Sequence, residues 1–381
     1  MKALIIGGGV IGGSVAWRLA RDGHRVTVFE RGRLGQEASW AAAGLIGPQV
    51  EAQEPGIFFD LCTAGKNAFD AMVDRLAYES GVDPEYDEQG ALYVAFDEEG
   101  AARLRARAHW QREVGASVEE LTPAEARKLA PALSPDVLYA LHMPTNRRTE
   151  NRKLTMAYIR AAEKAGAIFR EGARVAEIVT RGGRASGLRF DDGSIEEGDV
   201  IVNAAGSWAS ELRGLEADKV RFYPVRGQII CFEAPAGLLG PSLFSPGGIL
   251  VPRRDGRLIA GSIFEDAGFN KSVTLSGIAT ITSAVAAMVP ALRGVAFREA
   301  WAGLRPASDD LLPVLGPSPS VPGAFYAAGH FRSGILLSAL TGELLADLIA
   351  GRKPSLNLTP FSPARFQNRP VHRVPMEMKH V

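Results

Sequence analysis

A glycine-rich segment near the start of the chain has the spacing of a site for a dinucleotide phosphate. Residues 4–6 (LII) form a short apolar run, and Gly7, Gly9 and Gly12 follow it in a G-x-G-x-x-G pattern. The first glycine permits a tight turn, the second lets the backbone approach a pyrophosphate, and the third lets a helix pack closely on a strand. The pattern predicts a strand, a turn and a helix whose N-terminus favours an anion.

An acidic residue completes this pattern at the end of the next predicted strand. Gly23 ends the predicted helix, residues 25–29 (RVTVF) are typical of a strand, and Glu30 stands at its tip. A carboxylate there can accept hydrogen bonds from an adenosine ribose. The alternative is a strand–helix–strand unit that binds no ligand, but it does not explain three glycines in one turn, because each adds an entropy cost to folding.

The composition is that of an ordinary globular protein, and it gives no sign of a nucleic-acid, membrane-binding, metal or disulfide site. The chain has 381 residues, more than one compact core usually holds, which favours two domains. Lys+Arg and Asp+Glu both number 43, so the charge does not favour nucleic acid or an anionic membrane as a partner. The two cysteines, Cys62 and Cys231, form no metal-binding or disulfide pattern. Without a secretory signal or a membrane-spanning apolar run, the chain is expected to be a cytoplasmic enzyme with no metal ion.

Small residues follow two predicted strands, where a bulky flat ligand could lie close to the backbone. Residues 31–48 contain AAAG at 41–44, and residues 204–206 (AAG) follow a predicted strand at 199–203. The alternative for the first segment is a small-residue helix packed on a neighbour. The second segment predicts that the chain returns to the first domain to complete the nucleotide site.

Hydrophobic periodicity predicts helices and a second sheet in the rest of the chain. Predicted helices cover residues 55–80, 101–114, 153–166 and 276–288, and one more begins near residue 334. A second sheet is predicted from residues 221–233, 249–252 and 258–264, separated by proline and glycine turns. The tail after Gly351 is rich in proline, lysine and arginine, and is expected to be poorly ordered.

Motifs in both halves of the chain resemble those of the D-amino-acid-oxidase-like FAD flavoproteins, and within them the glycine oxidases of thiamine biosynthesis. Besides the glycine turn, the resemblance rests on residues 37–44 (EASWAAAG), 301–306 (WAGLRP) and 327–336 (AAGHFRSGIL). It implies an α/β protein with an α+β, two-domain arrangement. A Rossmann-type FAD-binding domain would comprise residues 1–85, 145–215 and 305–351, and an antiparallel-sheet substrate domain residues 86–144 and 216–304, with a tail at 352–381.

The resemblance also implies the cofactor contacts. No cysteine lies near residues 327–336, which argues against a covalent flavin and for non-covalent FAD. The implied FAD-binding residues lie in the glycine turn, at the tip of the second strand, in the small-residue segment and in the loop before the last helix: Gly7, Gly9, Val10, Ile11, Gly12, Glu30, Arg31, Ala38, Ser39, Ala43, Gly44, Leu45, Val175, His330, Phe331, Arg332, Ser333, Gly334, Ile335 and Leu336.

Three residues are implied to bind the substrate. Arg305 matches the family arginine that holds the substrate carboxylate, Arg332 matches a second substrate-side position, and Ile249 stands where the family often has a tyrosine. A guanidinium pairs with a planar carboxylate through two charge-assisted hydrogen bonds. The residues alone leave alternatives: Arg305, before Pro306, could form a structural ion pair, and His330 could be a hydrogen-bonded loop histidine without a chemical role.

The implied activity is the FAD-dependent oxidation of a small amino acid or amine by O2. Glycine, sarcosine or a small D-amino acid would give an oxo acid, ammonia or an amine, and hydrogen peroxide. Hydride transfer from the α-carbon needs orientation and electrostatics, so no catalytic acid or base is assigned. The alternatives are a D-amino-acid or secondary-amine dehydrogenase that uses another electron acceptor, and a flavin-binding subunit without independent turnover. The sequence leaves open the amine, the acceptor and whether the chain forms a homo-oligomer.

Overall fold

Two large β-sheets carry the fold, and helices pack against both. The computed structural model describes residues 1–235 and 237–367. In those ranges the helices are α1 (Val10–Arg21), α2 (Ala38–Ala41), α3 (Pro48–Glu51), α4 (Ile57–Ser80), α5 (Glu98–Glu113), α6 (Pro123–Leu129), α7 (Asn151–Lys164), α8 (Leu275–Met288) and α9 (Gly334–Ile349). The strands are β1 (Lys2–Ile6), β2 (Arg25–Phe29), β3 (Leu45–Ile46), β4 (Ala91–Ala95), β5 (Glu119–Leu121), β6 (Tyr139–Met143), β7 (Arg147–Arg148), β8 (Ile168–Arg170), β9 (Val175–Arg181), β10 (Arg184–Phe190), β11 (Ile195–Glu197), β12 (Val200–Asn203), β13 (Phe222–Glu233), β14 (Ser242–Ser245), β15 (Gly248–Pro252), β16 (Arg257–Gly261), β17 (Ala296–Ser308), β18 (Val314–Pro317) and β19 (Ala324–Ala328).

The first sheet has six strands in the order β18-β19-β12-β1-β2-β8. Strand β1 is paired in parallel with β2 on one side and with β12 on the other. Strand β12 continues the parallel arrangement with β19, and only β18 is antiparallel. The prediction that the chain returns to the first sheet near residue 200 is therefore confirmed.

Helices α1, α7 and α9 pack together over this sheet, and a close contact fixes two of them. The Ser14 hydroxyl of α1 donates to the carbonyl oxygen of Ser338 in α9 over 2.7 Å. A Cβ atom on Gly342 would lie 2.4 Å from the Ser14 hydroxyl oxygen, so a glycine is required at this crossing. Within the described ranges, no helix combines the length and the apolar character that crossing a bilayer requires.

The second sheet has eight strands in the order β17-β13-β16-β15-β14-β4-β6-β5. The predicted antiparallel arrangement is confirmed for most neighbours, but β14 and β4 are parallel. Strand β17 continues through Pro306, which lies opposite Pro224 of β13.

The two sheets are joined where the short helix α2 lies on β17. The indole nitrogen of Trp301 donates to the carbonyl oxygen of Ala41 over 3.1 Å, and the rings of Trp301 and Trp40 meet with centroids 5.3 Å apart. A Cβ atom on Gly303 would lie 2.4 Å from the Cβ of Ala41. The small residues at 41 and 303 therefore set the distance between α2 and β17.

The described part of the tail is packed against the first sheet. Phe361 and Phe366 are buried, and Arg365 donates to the Asp310 carboxylate over 2.8 Å. The expectation of poor order is wrong for residues 352–367, because two phenylalanine rings and an ion pair anchor them. The remaining residues of the predicted tail, 368–381, lie outside the described residues, and the proposed domain boundaries stay a prediction.

Replacing Gly303 with alanine should destabilise the protein. The added methyl group would overlap Ala41, and such overpacking costs about 1–3 kcal/mol of unfolding free energy. Gly294→Ala is the matched control, because no atom lies within 4 Å of the position its Cβ would take. Urea-induced unfolding of both variants measures the difference, and equal stabilities would show that α2 is not held at this distance from β17.

Candidate active site

A cavity of about 520 Å³ lies between the two sheets. Its walls include the tips of β1, β2 and β12, the segment from α2 to β3, and the loop before α9. Strands β13, β15 and β17 of the second sheet close the other side. Segments that are far apart in sequence therefore share one site.

The glycine turn forms one end of this cavity and tolerates no larger residue at two positions. Gly7 has a φ of +102°, and a Cβ atom on it would lie 2.4 Å from the carbonyl oxygen of Ala204. A Cβ atom on Gly12 would lie 1.9 Å from the Gly7 carbonyl oxygen. Val10 and Ile11 line the cavity, so the N-terminus of α1 opens on it and favours an anionic ligand.

Glu30 lies beside this turn with its carboxylate already oriented. One oxygen accepts the N–H of Gly8 and the other accepts the N–H of Gly32, each over 2.9 Å. The side chain is only 8% exposed, yet it lines the cavity. A carboxylate has about four acceptor sites. Two therefore remain for the hydroxyl groups of a ligand.

Side chains from both sheets form the rim of the cavity near Glu30. The Arg31 guanidinium lies 3.4 Å from the centroid of the Trp208 ring and 3.6 Å from the Glu37 carboxylate. Lys271 pairs with Glu37 over 3.0 Å, and Phe269 stacks on Trp208 with centroids 5.3 Å apart. Residues before α8 thus contact residues after β2.

Arg253 holds the small-residue segment in place. Its guanidinium donates to the carbonyl oxygens of Ala43 and Thr149 over 2.9 and 2.8 Å, and to the amide oxygen of Asn151 over 3.0 Å. Burial lowers the pKa of Arg253 to about 10. Gly44 has a φ of +74°, and a Cβ atom on it would lie 2.1 Å from the Thr149 carbonyl oxygen. The segment at 43–45 is therefore fixed by backbone contacts, which leaves its small side chains to line the cavity.

The loop before α9 is attached to β17. The N–H of Phe331 donates to the carbonyl oxygen of Pro306 over 2.8 Å. His330 Nε2 lies 3.0 Å from the Thr341 hydroxyl, and burial lowers the pKa of His330 to about 3. His330 is thus a neutral, hydrogen-bonded loop histidine that also lines the cavity. Helix α9 begins at Gly334, which confirms the predicted start.

Arg305 places a partly buried positive charge at the other end of the cavity. Its guanidinium donates to the Ile263 carbonyl oxygen over 3.0 Å and to the Ser262 hydroxyl over 2.7 Å, and lies 4.4 Å from the Phe264 ring centroid. Among the described residues, none with a carboxylate is within ion-pairing distance of it, so the structural ion-pair interpretation is wrong. Burial, and then repulsion by Arg332, lower the pKa of Arg305 to about 9. A bound anion would relieve this unfavourable charge.

Arg332 reaches the same end of the cavity but has a carboxylate beside it. Its Nε lies 3.2 Å from Glu51 Oε2, and the hydroxyl of Ser333 donates to the same oxygen over 3.4 Å. The Glu51 side chain is 6% exposed and lines the cavity. The two arginines therefore differ, because one faces a carboxylate of the protein and the other does not.

Apolar side chains complete the wall around Arg305. Ile249 of β15 lies opposite Phe244 of β14, and both line the cavity together with Phe264. Ile249 Cγ1 lies 3.7 Å from the position of a Cβ atom on Gly261, the residue before Ser262. The side chain at 249 thus stands close to the residue that binds Arg305.

Most of the predicted site residues line this one cavity. They are Gly7, Gly9, Val10, Ile11, Glu30, Arg31, Ala38, Ser39, Ala43, Gly44, Leu45, Val175, Ile249, Arg305, His330, Phe331, Arg332, Gly334 and Ile335. Gly12 packs behind the turn, Ser333 caps α9, and Leu336 is buried in the core. The roles of all these residues toward a ligand stay a prediction.

Sequence reasoning missed three residues of the site. Ser262 binds Arg305, Glu51 binds Arg332, and Arg253 holds the segment at 43–45. Arg253 could have been identified from the sequence, because it ends the run Val-Pro-Arg at residues 251–253. Ser262 and Glu51 stand in no recognisable motif. Ser262 follows β16 and contacts β17 of the same sheet, and Glu51 of α3 contacts the loop before α9, so both contacts join segments that are distant in sequence. Within residues 1–235 and 237–367, no group of three or more histidine, cysteine or acidic side chains is arranged to hold a metal ion.

Comparison with known proteins gives consistent matches along the chain. The family model "FAD dependent oxidoreductase" matches residues 2–348. Glycine oxidase from Geobacillus kaustophilus is 34% identical over 363 residues, 95% of this chain and 96% of that protein. The crystal structure of glycine oxidase from Geobacillus kaustophilus has a TM-score of 0.91 at 33% identity, covering 95% of this chain and 98% of that chain. Hydrogen cyanide synthase subunit HcnC from Pseudomonas aeruginosa is 33% identical over 403 residues, covering 97% of each chain.

Replacing His330 with glutamine should make folding stability less sensitive to acid. The pKa of His330 is about 3 in the folded protein and ordinarily about 6.5 when unfolded. Between these values the unfolded chain binds a proton that the folded chain does not, so stability falls as the pH falls below 6.5.

Urea unfolding at pH 7 and pH 5 measures this effect. The wild type should lose about 2 kcal/mol more than His330→Gln between the two pH values. His109→Gln, on the exposed side of α5, is the control and should behave as the wild type. Identical pH dependence in wild type and His330→Gln would contradict a buried, neutral histidine.

Proposed function

The chain belongs to the family of FAD dependent oxidoreductases, and we propose that it is an amino acid oxidase of the glycine-oxidase type. The substrate is a small amino acid or amine, from the set of glycine, sarcosine and small D-amino acids. The products are an oxo acid, ammonia or an amine, and hydrogen peroxide. FAD is bound non-covalently, and the resemblance to glycine oxidases assigns the reaction to thiamine biosynthesis.

The partly buried guanidinium of Arg305 is the observation that carries this proposal. Within residues 1–235 and 237–367, two of its five N–H groups have a hydrogen-bond partner, at Ile263 and Ser262. The charge lies in a cavity that it shares with the residues expected to hold the cofactor. A carboxylate accepts two parallel hydrogen bonds from such a group and neutralises it. An amino acid held in this way has its α-carbon at a fixed place.

The residues of the cavity fit FAD. The N-terminus of α1 suits the pyrophosphate, the free acceptor sites of Glu30 suit a ribose, and the small side chains at 43–45 suit the flat ring system. When bound there, FAD would supply two-electron oxidation chemistry, with O2 as the electron acceptor of an oxidase.

The protein's own contribution is orientation, exclusion of water and electrostatics. Arg305 fixes the carboxylate, and the wall formed by Ile249, Phe244 and Phe264 keeps the substrate end apolar. The N-terminus of α9 favours negative charge where its loop lines the cavity. His330 is neutral and bound to Thr341, so it is assigned no proton transfer, and no catalytic residue is named.

A second candidate function is a dehydrogenase or flavin-binding subunit that passes electrons to another acceptor. The observation that favours it is the 33% identity to a protein named as a subunit of hydrogen cyanide synthase. Both functions would use the same amine-binding end of the cavity. They differ in the molecule that accepts the electrons from the flavin.

The deciding experiment follows flavin bleaching and hydrogen peroxide separately. The purified protein is mixed with glycine, sarcosine and small D-amino acids. Bleaching with peroxide supports the oxidase, bleaching without peroxide supports the dehydrogenase, and no bleaching supports the inactive subunit. Acid precipitation of the same sample should release all the FAD, whereas colour in the pellet would contradict non-covalent binding.

The cellular setting belongs to the same proposal. We propose that the protein acts in the cytoplasm on a small molecule. We propose no nucleic-acid or membrane partner, because a formal net charge of zero gives no electrostatic attraction to either of these anionic surfaces.

Replacing Arg305 with alanine should reduce kcat/KM and leave the FAD content normal. The lost charge-assisted contact to a desolvated carboxylate is worth about 2–5 kcal/mol, or roughly 30- to 4,000-fold. Arg298→Ala is the control, since Arg298 lies on the same strand with its side chain half-exposed. Unchanged steady-state kinetics in a stable Arg305→Ala protein would place the substrate carboxylate elsewhere.

The residue at 249 should set the preference among small amines. Isoleucine leaves an apolar wall, so sarcosine or a small apolar D-amino acid should be used with a higher kcat/KM than glycine, by about 0.8 kcal/mol for each methylene buried. Ile249→Tyr adds a phenolic donor worth about 1.5–3 kcal/mol to the carboxylate that all these substrates share, and it places a polar group where the apolar wall contacts the extra carbon. The ratio should therefore shift toward glycine by roughly fourfold, the value of one buried methylene.

The matched control for this change is Ile249→Phe. It supplies the same ring without the hydroxyl group, so it should not favour glycine. Measuring kcat/KM for glycine and sarcosine on the three proteins separates the donor from the ring. A wild type that prefers glycine, with a tyrosine variant of the same preference, would place Ile249 outside the substrate contacts.

A further inference from the structure

Three charged side chains share the substrate end of the cavity. Arg305 and Arg332 carry positive charges, and Glu51 carries the negative charge that lies 3.2 Å from Arg332. The electrostatic effects of Arg332 and Glu51 both reach Arg305, and they have opposite signs. The site therefore has one positive charge more than its carboxylate balances.

Glu51 is held rigidly at this place. It is the last residue of α3, and the buried Arg107 of α5 donates to the carbonyl oxygens of Gln49 and Ala52 over 3.2 and 2.7 Å. The Ser333 hydroxyl donates to the carboxylate itself over 3.4 Å. The backbone and the side chain are therefore both anchored, and the side chain is only 6% exposed.

We propose that Glu51 is a specificity-determining residue that limits the substrates to amines with a single carboxylate. The inference rests on the proposed function and names the substrate class of that same site. Arg305 receives one carboxylate, and Glu51 occupies the place beside Arg332 that a second carboxylate would take. A dicarboxylate would either lie against Glu51 or displace it from Arg332 and leave a buried carboxylate without its counterion, and both outcomes are unfavourable.

The test compares two ether acids that bind without being oxidised. Methoxyacetate resembles sarcosine, and oxydiacetate is the same molecule with a second carboxylate in place of a hydrogen. Titration of each into the FAD-loaded protein, followed by the visible flavin spectrum, gives a dissociation constant for each. The wild type should bind methoxyacetate more tightly than oxydiacetate.

Glu51→Gln should reverse this preference. The amide keeps the size of the side chain and can accept the Ser333 hydrogen bond, but it removes the negative charge that a second ligand carboxylate would meet beside Arg332. The ratio of the two dissociation constants should move toward oxydiacetate by at least about 30-fold, as expected when one partner of a buried charge pair is removed. In turnover, kcat/KM for iminodiacetate relative to sarcosine should rise in the same direction.

Glu54→Gln is the matched control, because it removes the same charge three residues further on, at an exposed position. It should bind both ligands as the wild type does. If Glu51→Gln does not retain FAD, Glu51→Asp is the second variant, since it withdraws the carboxylate from Arg332 and should shift the ratio in the same direction by a smaller factor.

Two results would overturn the inference. One is an unchanged ratio in the Glu51 variants, and the other is an equal loss of affinity for both ligands, which would make Glu51 a structural residue only. Because the ether acids report binding without turnover, a wild type that oxidises no amine would contradict the proposed function and still leave this inference testable.

Discussion

The partial burial of the Arg305 guanidinium, with no carboxylate of the described residues at ion-pairing distance, is the constraint on which this end of the cavity depends. Taking a cation out of water is unfavourable, and the Ile263 carbonyl, the Ser262 hydroxyl and the Phe264 ring offset part of that cost. Gly227 makes room for it, because a Cβ atom there would lie 2.3 Å from Arg305 Nη1. The sheet thus maintains an unfavourable charge that a substrate carboxylate would stabilise, so binding and orientation come from the same contact.

The cofactor side depends on close backbone approach instead. Gly7 and Gly12 let α1 start against the tip of β1, and Gly44 lets the small-residue segment lie against residue 149. Each glycine costs conformational entropy on folding, and Arg253 offsets part of that cost by binding three groups around this segment. The two ends are linked through β17, which carries Arg305, packs on α2 through Gly303, and holds the loop before α9. A shift of this strand would therefore move substrate and cofactor contacts together.

Local signals explain what could be predicted from sequence. The strand, glycine turn and helix at the start, the tip position of Glu30 and the beginning of α9 at Gly334 all depend on neighbours within a few residues. The sheet order and the parallel pairing of β14 with β4 depend on contacts between distant segments, so no local pattern indicated them.

Contacts between segments that are distant in sequence account for the site residues that the sequence did not reveal. Ser262 and Glu51 have no unusual neighbours in sequence, and each gains its role from an arginine more than 40 residues away. For the tail, a local signal was misleading. Its composition indicated poor order, but Phe361 and Phe366 are buried in the core.

Selection at the substrate end combines two physical effects of unequal strength. An apolar wall of the kind formed by Ile249, Phe244 and Phe264 distinguishes substrates that differ by one methylene by only about 1–3 kcal/mol, so it ranks small amines without excluding any. Charge discriminates between substrates more strongly than the apolar wall does. A buried carboxylate that lies next to another carboxylate, or that is separated from its counterion, costs several kcal/mol of binding free energy. With one unbalanced positive charge at Arg305 and a paired one at Arg332, the proposed function implies that the number of carboxylates on a substrate is restricted more strictly than its side chain. Under that proposal the site would accept a range of small apolar groups but only a single carboxylate.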